Sequence, residues 1–81
     1  MHPAAPPMRI VDARGLDCPM PLVMAKVAAE ALGPGEGITV LATDPEASID
    51  LAAWADDVGY ELTERAGKGF AEFVLRSSSP A

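Results

Sequence analysis

From residue 8 to residue 13 apolar and polar side chains alternate imperfectly. Met8, Ile10 and Asp12 fall on one side and Arg9, Val11 and Ala13 on the other, which predicts a short strand. After Pro19 the period lengthens. Met20, Val23, Met24, Val27 and Ala31 recur at three- and four-residue intervals with Lys26 and Glu30 opposite, the pattern of an amphipathic helix. Gly33 is expected to end that helix in the left-handed conformation, and Pro34-Gly35 adds a turn signal. Residues 38–43 (ITVLAT) are rich in β-branched side chains and predict a strand inside a sheet rather than at its edge. Asp44 and Pro45 are expected to open a second helix, the first as cap and the second as a residue with the right φ. Ala47, Leu51, Trp54 and Val58 supply its apolar stripe; Glu46, Asp50 and Asp57 form an acidic side, read as a solvated face or as a docking surface. Gly59 closes this helix. Strands are then predicted from Tyr60 to Arg65 and from Phe70 to Arg76, joined by a hairpin through Ala66-Gly67-Lys68-Gly69.

The order βαβαββ, with a right-handed first crossover between parallel strands, implies an α/β (α+β) two-layer sandwich: a four-stranded mixed sheet with two helices on one face. The prolines at 3, 6 and 7 mark residues 1–7 as an expected disordered tail, and Ser77-Ser78-Ser79-Pro80-Ala81 as another, leaving one domain over 8–76 without internal repeats.

With 49% hydrophobic and 22% charged residues, the 81-residue sequence fits one small globular unit. Twelve acidic against six basic residues give a net charge of −6, which opposes direct binding to a phosphate backbone. No apolar run reaches the roughly 20 residues that cross a bilayer, so no membrane association is expected. The first seven residues lack the basic start and apolar stretch of a secretory signal, so a cytoplasmic location is expected. A single cysteine excludes an internal disulfide, and the Cys and His residues are too few for a four-ligand zinc site; no metal or cofactor is expected.

The candidate chemistry lies in Arg14-Gly15-Leu16-Asp17-Cys18-Pro19-Met20-Pro21, between the first strand and the first helix. A cysteine at a helix start faces unpaired amides, which favour thiolate over thiol. Pro19 and Pro21 fit the first helical turn and hold it rigidly behind Cys18, while Gly15 gives the loop a flexible or left-handed step. The Asp17 carboxylate disfavours a second negative charge beside it; Arg14 opposes it if their side chains fold together, and the sequence leaves that balance open. His2 in the tail is the only histidine, so a cysteine–histidine pair for acyl transfer cannot be built in the ordered body. Without a second thiol, sulfur bonded to Cys18 must be released to an outside partner. Asp56-Asp57 point in different directions on the helix and do not form a glycosidase pair or a metal site, and Gly67-Lys68-Gly69 reads as a hairpin turn rather than a phosphate loop.

Residues 12–21 (DARGLDCPMP), together with Thr43-Asp44-Pro45-Glu46-Ala47 and Asp50-Leu51-Ala52-Ala53-Trp54, resemble the TusA (SirA-like) sulfur-carrier, or sulfurtransferase, family over nearly the whole expected domain. The resemblance implies the two-layer fold above and no cofactor. It also implies a persulfide on Cys18, loaded by a cysteine desulfurase or rhodanese-like donor and unloaded to an acceptor protein in tRNA thiolation, molybdenum cofactor synthesis or sulfur oxidation. Pro19 and Pro21 would then shape the ledge under the sulfur, Gly15 would let the loop present it outward, and Arg14 would steer an acidic partner or substrate. Some relatives carry a second cysteine in the second helix; here Ala55 follows Trp54. The carrier reading makes this a sulfurtransferase-type carrier rather than a self-sufficient enzyme. Its rival is a non-catalytic regulatory or protein-interaction module of the same fold that docks through the acidic helix face. A third reading, RNA binding by fold similarity to the C-terminal domain of translation initiation factor three, is opposed by the net charge.

Overall fold

The computed structural model describes residues 9–33 and 35–77. Met8, both expected tails apart from Ser77, and the Pro34 turn signal lie outside the described residues. The elements follow the expected order: β1 (Arg9–Ala13), α1 (Met20–Ala29), β2 (Gly37–Ala42), α2 (Ala47–Val58), β3 (Glu61–Ala66) and β4 (Ala71–Arg76). They build a four-stranded sheet in the order β1-β2-β4-β3. β1 runs parallel to β2, with Val11 opposite Val40 and Ala13 opposite Ala42. β4 is antiparallel to β2 on one side and to β3 on the other. β2 is therefore an interior strand, as its run of β-branched residues requires.

Alternation along the strands sends Val11, Ala13, Ile38, Val40, Ala42, Phe73 and Leu75 to one buried face. There they meet Ala25 from α1 and Ala47, Leu51 and Ala55 from α2 in a single core. The helices also touch each other, forming one layer over the sheet.

The inward face of α1 differs from the expected stripe. Pro21, Ala25 and Ala29 are buried, whereas Met20, Val23 and Ala31 are exposed and Val27 is 62% exposed. Met24, with Leu22, Ala28 and Leu32, packs at the margin of the core. Ten residues in this stretch are apolar and only Lys26 and Glu30 are charged, so the period alone does not single out one face. Small residues at positions 21, 25 and 29, one turn apart, bring the helix close to β1 and β2, and the bulkier Val23 and Val27 turn outward. In α2 the expected stripe holds at Ala47 and Leu51, but its third fully buried position is Ala55; Trp54 is half-buried, edge-on to Tyr60 at 5.4 Å, and Val58 is exposed.

The helix ends follow two different rules. Gly59 adopts the left-handed conformation (φ 81°) and Tyr60 N–H donates back to Ala55 C=O at 2.8 Å, as expected for a glycine stop. Gly33 does not act this way. α1 ends at Ala29, and the next amides tighten to three-residue bonds: Glu30 to Val27, Ala31 to Ala28 and Leu32 to Ala29. Gly33 instead donates its N–H to the Glu36 carboxylate at 2.7 Å. α2 begins two residues later than expected, after a turn at Pro45-Glu46; the Asp44 carboxylate still caps that turn, accepting Glu46 N–H at 2.9 Å. Ser77, first residue of the expected tail, donates its hydroxyl to Gly33 C=O and Glu36 C=O and its amide to Glu36 C=O.

Candidate functional site

Because β1 and β2 are parallel and in register to Ala13 and Ala42, their carboxyl ends lie side by side and the loops that leave them meet. The first loop, 14–19, carries the cysteine; the second, 43–46, carries Thr43 and Asp44. Gly15 turns the first loop in the left-handed conformation at φ 81° and donates its amide to Thr43 Oγ1 at 2.9 Å. One residue past Asp17 the Cys18 amide donates to Asp44 Oδ2, while Asp44 Oδ1 takes the Glu46 amide. Asp44 thus ties the cysteine loop to the entrance of α2. Asp17 is exposed and contributes its carbonyl, which accepts Met20 N–H at 2.8 Å. Pro19 is the N-cap position of α1 and accepts Val23 N–H at 3.0 Å; Pro21 is fully buried beneath it. The Cys18–Pro19 peptide bond is cis.

Cys18 is exposed, and its thiol donates to Asp50 Oδ2 at 3.0 Å, one turn into α2. This contact decides the ionisation that the local sequence leaves open. The hydrogen bond to Asp50 stabilises the neutral thiol; with desolvation and the nearby charges of Asp50, Glu46 and Asp44 it pushes the Cys18 pKa up to about 11. The helix start offers little to set against these carboxylates. Pro19 and Pro21 have no N–H, and the Met20 amide already bonds Asp17 C=O, so the first turn presents few free amides to the sulfur.

Arg14 does not serve the cysteine either. Its guanidinium is bidentate on Asp12, Nε to Oδ1 and Nη2 to Oδ2, both at 2.8 Å, and lies over the Phe70 ring at 5.2 Å. That pairing holds the Asp12 carboxyl down to about 2. The groups that act on Cys18 therefore belong to α2 and its entrance.

Of the sequence candidates, Gly15, Cys18, Pro19 and Pro21 share one loop and helix start, with Asp17 at its rim and Arg14 held aside. Thr43, Asp44 and Asp50 lie outside the cysteine run and supply the contacts that fix the loop. Asp50 belongs to the acidic side that the sequence reads as a solvated face or as a docking surface; it is half-buried and bonded to the sulfur. The parallel pairing of β1 with β2 was the available signal, because it brings Cys18 and Asp44, 26 residues apart, to the same end of the sheet. Among the described residues no group of three or more His, Cys, Asp or Glu side chains could hold a metal ion, and no helix is long and apolar enough to cross a membrane.

Residues 9–77 match the family model described as Sulfurtransferase TusA. The chain is 41% identical over 59 residues to the sulfur carrier protein TusA of Allochromatium vinosum, covering 73% of this chain and 78% of that one. It is 39% identical over 56 residues to the sulfur carrier protein TusA of Pseudomonas aeruginosa, covering 69% and 71%. The crystal structure of a SirA-like protein from Desulfitobacterium hafniense superposes with a TM-score of 0.79 at 30% identity, covering 89% of this chain and all of that one. A match that begins at β1 and ends past β4 takes in every element that positions Cys18, so the chain belongs to the TusA sulfurtransferase family.

Proposed function

We propose that this protein is a sulfur carrier in which Cys18 accepts a sulfane sulfur, holds it as a persulfide and passes it to an acceptor protein. The observation that carries the reading is the placement of Cys18: exposed, on a loop fixed by backbone and side-chain bonds, where the ends of two parallel strands meet. Gly15, Pro19 and Pro21 shape the ledge behind it, and Asp17 forms its outer rim. Relatives named as sulfur carriers support the same assignment.

The loading step balances without an oxidant. Cys18 Sγ forms a bond to the terminal sulfur of a donor protein's cysteine persulfide, and the donor's S–S bond breaks. Its electron pair leaves with the donor cysteine, which takes the proton that Cys18 gives up. The products are a Cys18 persulfide and a donor thiol. Unloading runs the same exchange toward an acceptor. With one cysteine in the chain, the sulfur cannot be resolved into an internal disulfide. We assign the donor to the cysteine desulfurases or rhodanese-like proteins and the acceptor to a protein of tRNA thiolation, molybdenum cofactor synthesis or sulfur oxidation.

Incubation with a cysteine desulfurase and cysteine tests this. The peptide holding Cys18 should gain one sulfur atom, and Cys18→Ala should gain none. No gain across several donors would favour the rival interaction module, and a Cys18→Ala chain that still relays sulfur would overturn the carrier reading.

A further inference from the structure

The carrier must leave its thiol open to partner proteins while keeping it from reacting with every small electrophile it meets. We propose that Asp50 is the positioning residue that resolves this conflict: it clamps the empty Cys18 as a neutral thiol through the Sγ–H bond, and it loses that hold when a sulfur is loaded.

The first half rests on geometry. The Cys18 Sγ–H points at Asp50 Oδ2 at 3.0 Å, and a bond of this kind exists only while the sulfur is protonated. Among the described residues, the charged groups that face the thiol from the packed elements are acidic: Asp50 on α2, Glu46 at its entrance and Asp44 in the loop before it. On the cysteine's own loop, Asp17 is a further carboxylate, and Arg14 is bound to Asp12 and Phe70. The exposed thiol is therefore held in its less nucleophilic form, with a pKa near 11.

The second half rests on covalent chemistry and on the carrier reading above. In a persulfide the inner sulfur is bonded to Cβ and to the outer sulfur and carries no hydrogen. The donor of the Asp50 hydrogen bond is thus removed by loading, and a carboxylate oxygen at 3.0 Å faces only lone pairs on Sγ. The loaded side chain is released from α2, and its outer sulfur, about 2 Å further out, is offered to an acceptor. Asp50 so distinguishes an empty carrier from a full one.

The test measures iodoacetamide alkylation of Cys18 against pH in the full chain, for wild type, Asp50→Asn and Asp50→Glu. Asp50→Asn removes the largest cause but leaves desolvation and the charges of Glu46 and Asp44, so the thiol should move from about 11 toward the ordinary value of 9.0 and the thiolate fraction at pH 7.5 should rise, by up to roughly 100-fold. The weaker nucleophilicity of the less basic sulfur takes back part of that gain, leaving a rate higher than wild type by up to about tenfold. Asp50→Glu, which keeps the charge, should stay within about threefold of wild type.

Equal rates in wild type and Asp50→Asn would overturn the clamp. So would a wild-type thiolate absorbance titration centred near 9, a measurement that needs no variant to fold. After loading with inorganic polysulfide, the Asp50→Asn to wild-type ratio should fall toward one; a ratio unchanged from the empty form would overturn release on loading. A chain that polysulfide does not load contradicts the carrier reading, while the empty-form rates decide the clamp on their own.

Discussion

Asp44 offers the sharpest test of how the site is assembled, because its two carboxylate oxygens take two different amides: Oδ2 that of Cys18 and Oδ1 that of Glu46. Replacing it with alanine removes both acceptors. The Glu46 bond closes the turn before α2 and contributes about 1 kcal/mol, as a local hydrogen bond does. The Cys18 bond is charge-assisted and spans 26 residues, but it lies near solvent and contributes about another 1 kcal/mol. Asp44→Ala should therefore lose about 2 kcal/mol, a large share of the roughly 4–8 kcal/mol expected for a domain of this size.

Asp44→Asn discriminates within the argument, because an amide has one oxygen and can keep only one of the two bonds. It should lose about half as much as alanine. Urea unfolding followed by Trp54 fluorescence measures both, with the slope unchanged if only stability is altered. Amide hydrogen exchange at Cys18 should quicken in Asp44→Ala, since the carboxylate that accepts it is removed. An alanine variant within about 0.5 kcal/mol of wild type, or an asparagine variant as damaged as alanine, would refute the double-acceptor account.

The remaining predictions concern packing and charge. Leu51→Ala, at a fully buried position, should cost about 2–5 kcal/mol in the same urea assay, whereas Val58→Ala, at an exposed one, should stay within about 0.5 kcal/mol. Ala25→Leu should destabilise by about 1–3 kcal/mol through overpacking, while Val27→Ala should leave the melting temperature nearly unchanged; the reverse order would restore the stripe expected from periodicity. The Asp12 carboxyl should titrate near 2 by NMR and return toward 3.8 in Arg14→Gln. Its native pKa lies below the unfolded value, so the pair's support is present above about pH 4 and is lost as pH falls through 2.

The fold was legible because its punctuation is chemical. Gly59, the β-branched run at 38–40 and the glycines between β3 and β4 each admit one local structure, and their order leaves few topologies. The rotation of α1 was not legible, since an almost wholly apolar segment has no polar face to define its inside. The packing that chose Pro21, Ala25 and Ala29 depends on how closely the helix approaches the sheet, which only the assembled layers determine.

The site divides the same way. Cys18 stands out as the only thiol, set between a strand and a proline-flanked helix start. Along the local sequence the helix start, Asp17 and Arg14 pull its ionisation in opposite directions and leave it open. The groups that govern it are Asp50, Asp44 and Glu46, 26 to 32 residues away, brought over by the parallel pairing of β1 and β2. Local sequence does not encode a contact made by two strand ends meeting.

The central claim concerns a sulfur atom that arrives at Cys18 and leaves again, so the most direct measurement follows the intact mass of the chain through both steps. Exposure to a persulfidated desulfurase should add one sulfur per chain, and addition of an excess of a recipient protein thiol should return the chain to its original mass while the sulfur appears on the recipient. A mass that never rises, or a sulfur that stays on Cys18 in the presence of every recipient, would contradict the account.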